Sequence, residues 1–156
     1  MMRSRMGFSV AVAGAGLVLA AALAAASAGA ASPVEERQAT MKQVGATMKD
    51  ATAYTSAATP FDAAKVKALM DGLATSAKKL KGLYPANTAS DPKTSADPKV
   101  WQNKADFEKR LAEMGTLATA AGKTTDTDTF KPAFKAVGET CKSCHDIYRM
   151  KKKAAA

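Results

Sequence analysis

The chain has 156 residues, 47% of them apolar, with 23 Lys and Arg against 14 Asp and Glu, two Cys and a single His, for a net charge of +9. That length suits one domain of ordinary size. Two cysteines and one histidine are too few for a structural zinc site, which takes four protein ligands, and the basic residues come without the aromatic or Gly-rich motifs of nucleic-acid recognition.

The first element is a targeting segment. Met1 to Met6 carries Arg3 and Arg5, the run from Gly7 to Ala26 is apolar or small, and Ala28-Gly29-Ala30 fits the A-x-A cleavage pattern. Residues 1–30 are therefore read as a secretory signal peptide and residues 31–156 as the exported domain. An uncleaved anchor is the other reading, because about 20 apolar residues suffice to span a bilayer; the dominance of Ala and Gly over Leu and Ile favours cleavage. Residues 1–30 hold no acidic side chain, so the remainder keeps 21 basic against 14 acidic residues, a charge of +7. No later segment is apolar enough to cross a membrane.

The exported part is rich in Ala, Lys, Met and Leu, which favours helix. Ser32-Pro33-Val34-Glu35 starts the first helix with a cap, a proline at the first helical position and a glutamate three residues after the cap. Its stripe is Val34, Met41, Val44, Met48, Ala51 and Thr55. Asp62 caps the second helix, whose stripe runs Val66, Leu69, Met70, Leu73, Ala77 and Leu80 and ends near Lys81-Gly82. Residues 83–96 have no hydrophobic period and read as a surface connection. Asp97-Pro98 opens the third helix, which presents Val100, Phe107, Leu111, Met114, Ala118 and Ala121 before Gly122 closes it. The fourth starts around Thr127 to Thr129 with Pro132 close to its first turn, and its stripe is Phe130, Phe134, Val137, Cys141, Cys144 and Tyr148. Four amphipathic helices of this length predict an all-α, antiparallel four-helix bundle. A basic tail, 149–156, follows.

The chemistry lies at Cys141-Lys142-Ser143-Cys144-His145, the attachment pattern of c-type haem. Residues three and four apart share a helix face, so both thiols can reach the two vinyl groups on one side of a porphyrin while His145 offers an imidazole nitrogen to the iron. A thioredoxin-like pair needs an α/β setting that this sequence lacks. One covalent haem c with its iron is the expected cofactor. With the sole histidine used, the opposite axial position is left to Met, Lys, a small molecule or nothing. Met150, five residues beyond His145 on the same helix, lies on the wrong side; Met41, Met48, Met70 and Met114 sit on core stripes.

The chain resembles the class II c-type cytochromes, the family that includes cytochrome c-prime and its low-spin relatives. The resemblance is carried by Phe134 to Gly138, Cys141 to His145 and Tyr148-Arg149, by Arg37 to Lys42 with Gly45 and Met48, by Phe61-Asp62 and by Pro98 to Trp101. It implies a left-handed bundle with haem held between the helices, a periplasmic location and electron transfer. It also implies that Met41 is the sixth ligand in a low-spin protein, or an uncoordinated apolar residue in a five-coordinate, high-spin one. Arg37, one turn before Met41, is expected near the haem edge, against a propionate or a distal ligand, or else on a solvated face. Arg149, similarly placed after His145, is expected to influence the imidazole and the potential, or else to lie on a solvated face. Trp101 and Phe107 are expected against the porphyrin or in the plain core.

The expected function is a periplasmic monohaem electron carrier, ligated by His145 and Met41, which docks acidic redox partners. The alternative is a gas-binding protein whose open iron takes nitric oxide or carbon monoxide. Enzymatic chemistry is not expected, since no second histidine is present for the distal side. Monomer and homodimer both fit Ala-rich helix faces.

Overall fold

The computed structural model describes residues 31–151. The expected signal peptide, residues 1–30, and residues 152–156 of the basic tail lie outside the described residues. The helices are α1 (Pro33–Thr52), α2 (Ala63–Lys81), α3 (Lys99–Gln102), α4 (Lys104–Ala121) and α5 (Thr127–Tyr148), with 3-10 turns at Ala53–Thr55 and Ala86–Thr88. Four long helices form the bundle expected from the sequence.

Local chemistry sets the starts. Ser32 Oγ accepts from the Glu35 amide at 3.2 Å and Glu35 accepts from the Ser32 amide at 3.1 Å, a closed capping box with Pro33 behind it. Asp62 and Asp126 accept from the amides of Lys65 and Thr129 at 3.0 and 2.8 Å. Each satisfies a donor that the first helical turn leaves unpaired.

The third predicted helix is two. The chain leaves helical geometry at Asn103 (φ −121°, ψ 45°), between α3 and α4. The two pieces serve different neighbours: α3 packs on α5 and on the start of α4, whereas α4 packs along α2 and α5. Val100 is fully buried, and the Trp101 indole donates to the Pro85 carbonyl at 3.1 Å, so the short helix is pinned in a direction that α4 does not follow.

Two smaller differences concern α1 and α5. Helix α1 tightens into a 3-10 turn before Thr55. Helix α5 starts at Thr127, which puts Pro132 in its second turn; the Asp128 carbonyl it deprives of a donor belongs to an exposed residue at the helix start, where the loss costs least.

The core runs between α2 and α4, from Leu73, Leu80 and Met70 to Leu111 and Ala118. Their close approach depends on Gly122, where an added Cβ would lie 3.1 Å from the Met70 Cβ. At the other side of the bundle, Phe61 meets Tyr54 edge-on at 6.3 Å and Phe130 at 5.9 Å, joining the end of α1 to the start of α5. Beyond that junction the two helices part, and the space between them is the site.

Candidate haem site

A cavity of about 610 Å³ opens between α1, α4 and α5, within the range of cofactor sites. Helix α5 contributes Gly138, Cys141, Cys144, His145 and Tyr148, α1 contributes Met41, Val44, Gly45 and Met48, and α4 contributes Phe107, Arg110, Leu111 and Met114. Among the described residues no acidic one lines it, while Arg37, Lys42, Arg110 and Arg149 all reach it.

The helical spacing of the attachment motif explains its presentation. Cys141 and Cys144 are free, half-buried and on the face of α5 that meets the cavity. Burial raises both thiols above their ordinary range, Cys144 to about 11 despite the opposing charge of Arg110. At neutral pH both are therefore S–H groups. His145 is exposed where it borders the cavity, and its proton affinity is lowered, first by partial desolvation and then by the Arg149 charge. Its imidazole is thus biased toward the neutral form that can ligate a metal.

The chemistry and shape of the cavity fit a haem. Two thiols and one imidazole converge on an apolar slot from a single helix. Gly45 and Gly138 line the cavity, and a Cβ added at either would meet nothing within 4 Å, so the space beside both helices is open there.

Among the methionines, Met41, Met48 and Met114 line the cavity. Met70 does not: it is fully buried where α2 meets the end of α4. Met150 is 41% exposed, beyond the end of α5. Of the two aromatic residues expected at the porphyrin, Phe107 lines the cavity, while Trp101 stands behind it, 6.3 Å from Tyr84.

Arg37 is not on a solvated face. It is 3% exposed, its guanidinium lies 4.8 Å from the Tyr84 ring centre and 5.7 Å from that of Trp101, and its remaining open side borders the cavity. Nη1 donates to the Leu83 carbonyl at 3.1 Å and to Thr88 Oγ1 at 2.8 Å, and Nη2 donates to Thr94 Oγ1. Burial lowers its pKa without an acidic partner in contact. The connection it grips is only partly a surface loop, since Tyr84, Thr88 and Ala96 are buried.

Sequence patterning missed a second group, Asp106 and Arg110 of α4. Asp106 accepts from Arg110 Nε at 2.7 Å and from the Tyr148 hydroxyl at 2.6 Å, and Arg110 Nη1 reaches Ser143 Oγ at 3.4 Å. This tie holds α4 against the attachment turn. The i,i+4 spacing of Asp106 and Arg110 was the available signal, but it reads equally as an exposed helix pair.

The bundle and its Cys-x-x-Cys-His cavity define a class II c-type cytochrome. More particularly, residues 32–149 match the family described as Cytochrome C', and the chain belongs to that family. It is 38% identical over 125 residues to a cytochrome c-556 of Agrobacterium fabrum, covering 79% of this chain and 84% of the relative. It is 37% identical over 120 residues to a cytochrome c' of Rhodopseudomonas palustris, covering 76% and 82%. The solved structure of a cytochrome c' from Rhodopseudomonas palustris superposes with a TM-score of 0.73 at 35% identity, covering 79% of this chain and 99% of that one.

Proposed function

We propose that the protein is an exported, periplasmic monohaem electron carrier whose iron is ligated by His145 and Met41. The observation that carries this reading is that Met41 of α1 and His145 of α5 border one cavity from different helices. The similarity to a cytochrome c-556 supports it. Cys141 and Cys144 would hold one haem c through thioethers, and the group would supply the one-electron couple.

The chain's own residues do the rest. The two thioether positions, one turn apart, fix the orientation of the group relative to α5. The neutral imidazole of His145 offers its lone pair, and the half-buried Met41 thioether offers the second, so neither ligand brings a charge into the slot. Val44, Leu111 and Phe107 are buried in the cavity wall and would limit water there, which would keep solvent rearrangement during electron transfer small. Of the cavity's cations, Lys42 is exposed and can face a propionate, whereas Arg110 is half-buried and already paired with Asp106. Arg37 borders the same space, where its unbonded side can approach one. The basic exterior favours an acidic protein partner.

A second reading rests on the equally close cytochrome c' relative: Met41 stays unbound and the iron takes nitric oxide or carbon monoxide. The ferric optical spectrum separates the two. A low-spin spectrum with a sulfur-to-iron charge-transfer band, lost in Met41→Ala, is the expected result for the carrier. A high-spin wild-type spectrum overturns Met41 ligation.

A further inference from the structure

The two helices that present Met41 and His145 meet through the 3-10 turn Ala53–Thr55 and the Phe61–Phe130 contact, at the far end of α5 from its attachment motif. At the open end, a different element joins them. We propose that residues 83–97 form a brace that sets the separation of α1 and α5 at the cavity, with Thr94 as its positioning residue. The proposal rests on the reading of Met41 as a ligand only for the spectrum by which it is first tested.

The brace is bonded at both ends. On the α1 side, Arg37 donates to Leu83, Thr88 and Thr94, and Gln38 Nε2 donates to the Lys93 carbonyl at 2.7 Å. On the α5 side, Ala96 is bridged to Arg149, the Asp97 amide donates to the Tyr148 carbonyl at 2.8 Å, and the Met150 amide donates to the Ser95 carbonyl at 2.9 Å. Thr94 joins the two ends. Its Oγ1 accepts from Arg37 Nη2 and also from the Ala96 amide at 3.2 Å, so a single hydroxyl links the α1 guanidinium to the segment paired with the end of α5.

The attachment points lie beside the ligands. Arg37 is one helical turn before Met41, and Tyr148 and Arg149 are about one turn after His145. A connecting segment of this length is ordinarily mobile at the surface. This one buries Tyr84, Thr88 and Ala96 and receives bonds from a buried cation, which are stronger than neutral ones. A site of this kind tolerates displacements of only about 0.5 Å, so a wall that shifts by that amount alters what the Met41 sulfur can reach. The brace therefore acts on the iron through helix position, without touching it.

The test uses the full holoprotein with Thr94→Val, which keeps the shape and removes the acceptor, and Thr94→Ser, which restores it. Three quantities are read: amide hydrogen exchange at Asp97 and Met150, the ferric spectrum, and carbon monoxide affinity of the reduced protein. Thr94→Val is expected to speed exchange at both amides and to move the ratio of high-spin to low-spin iron by at least about fivefold, since one ordinary hydrogen bond has that effect and Thr94 loses two, one of them to a cation. Thr94→Ser is expected to reverse both changes. If the wild type is high-spin, Met41 ligation falls separately, and the brace is then read as a change of at least about fivefold in carbon monoxide affinity. Unchanged exchange, or faster exchange with spectrum and carbon monoxide affinity both as in the wild type, overturns the proposal. Should Thr94→Val not accumulate, Gln38→Ala cuts the parallel tie to Lys93 and is judged by the same outcomes.

Discussion

At residue scale the placement of Cys141, Cys144 and His145 on one cavity was legible, because spacings of three and four within one helix share a face. Replacing Cys141 and Cys144 together by Ala is expected to release the haem into acidic organic solvent; haem that stays with the polypeptide contradicts the thioether assignment. Arg37 was legible only as a residue near Met41. Its acceptors lie 46, 51 and 57 positions away, beyond any local pattern. Because Arg37→Ala removes a buried cation shared by three acceptors and two aromatic rings, it is expected to cost about 3 kcal/mol, measured as a loss of urea stability with the helical fold retained. A loss below about 0.5 kcal/mol would show that the guanidinium is not anchored.

At the scale of elements, caps and stripes located the helices well, since the signals act within one turn. Helix α1 shows where patterning stops. Its packed face includes Arg37, Thr40 and Thr47, which no hydrophobic stripe would select, while Met41 and Met48 sit half-buried beside the cavity. Thr40 is tolerated there because its hydroxyl donates to the Glu36 carbonyl at 2.8 Å.

The capping carboxylates also fix a pH dependence. Backbone amides hold Glu35, Asp62 and Asp126 below their ordinary values of 4.5, 3.8 and 3.8. Because the folded values are the lower ones, this stabilisation is complete above about pH 4.5 and is lost as the pH falls through the folded values. Helicity followed by circular dichroism at fixed urea should therefore fall on acidification below pH 4.5. Asp126→Asn, which keeps an acceptor at the α5 cap but cannot titrate, should shrink the change; an identical acid profile would remove Asp126 from the account.

The α2 and α4 contact carries a separate expectation. Gly122 has ordinary helical geometry, so its small size serves approach rather than backbone freedom. Gly122→Val should destabilise by about 1–3 kcal/mol through overpacking against Met70. Measured stability equal to the wild type would mean that the helix ends separate freely.

For the whole molecule, the cavity makes the bundle dependent on what fills it. The Cys141→Ala, Cys144→Ala protein, once stripped of haem, should melt at lower temperature and show its fastest amide exchange at the open end of α1, with the α2 and α4 core the most protected. Uniform protection would mean that the bundle closes by itself.

The sequence by itself determined the long helices, the caps at Ser32 and Asp62, the Cys-x-x-Cys-His pattern and its family, because each is written in neighbours within a turn or in a motif of five residues. Only the tertiary structure decided that the third helix breaks at Asn103, that the connection 83–97 is bonded into the fold, and that Met41 but not Met70 borders the cavity. Those outcomes depend on which helix packs against which, and the contacts responsible join residues that the chain keeps far apart.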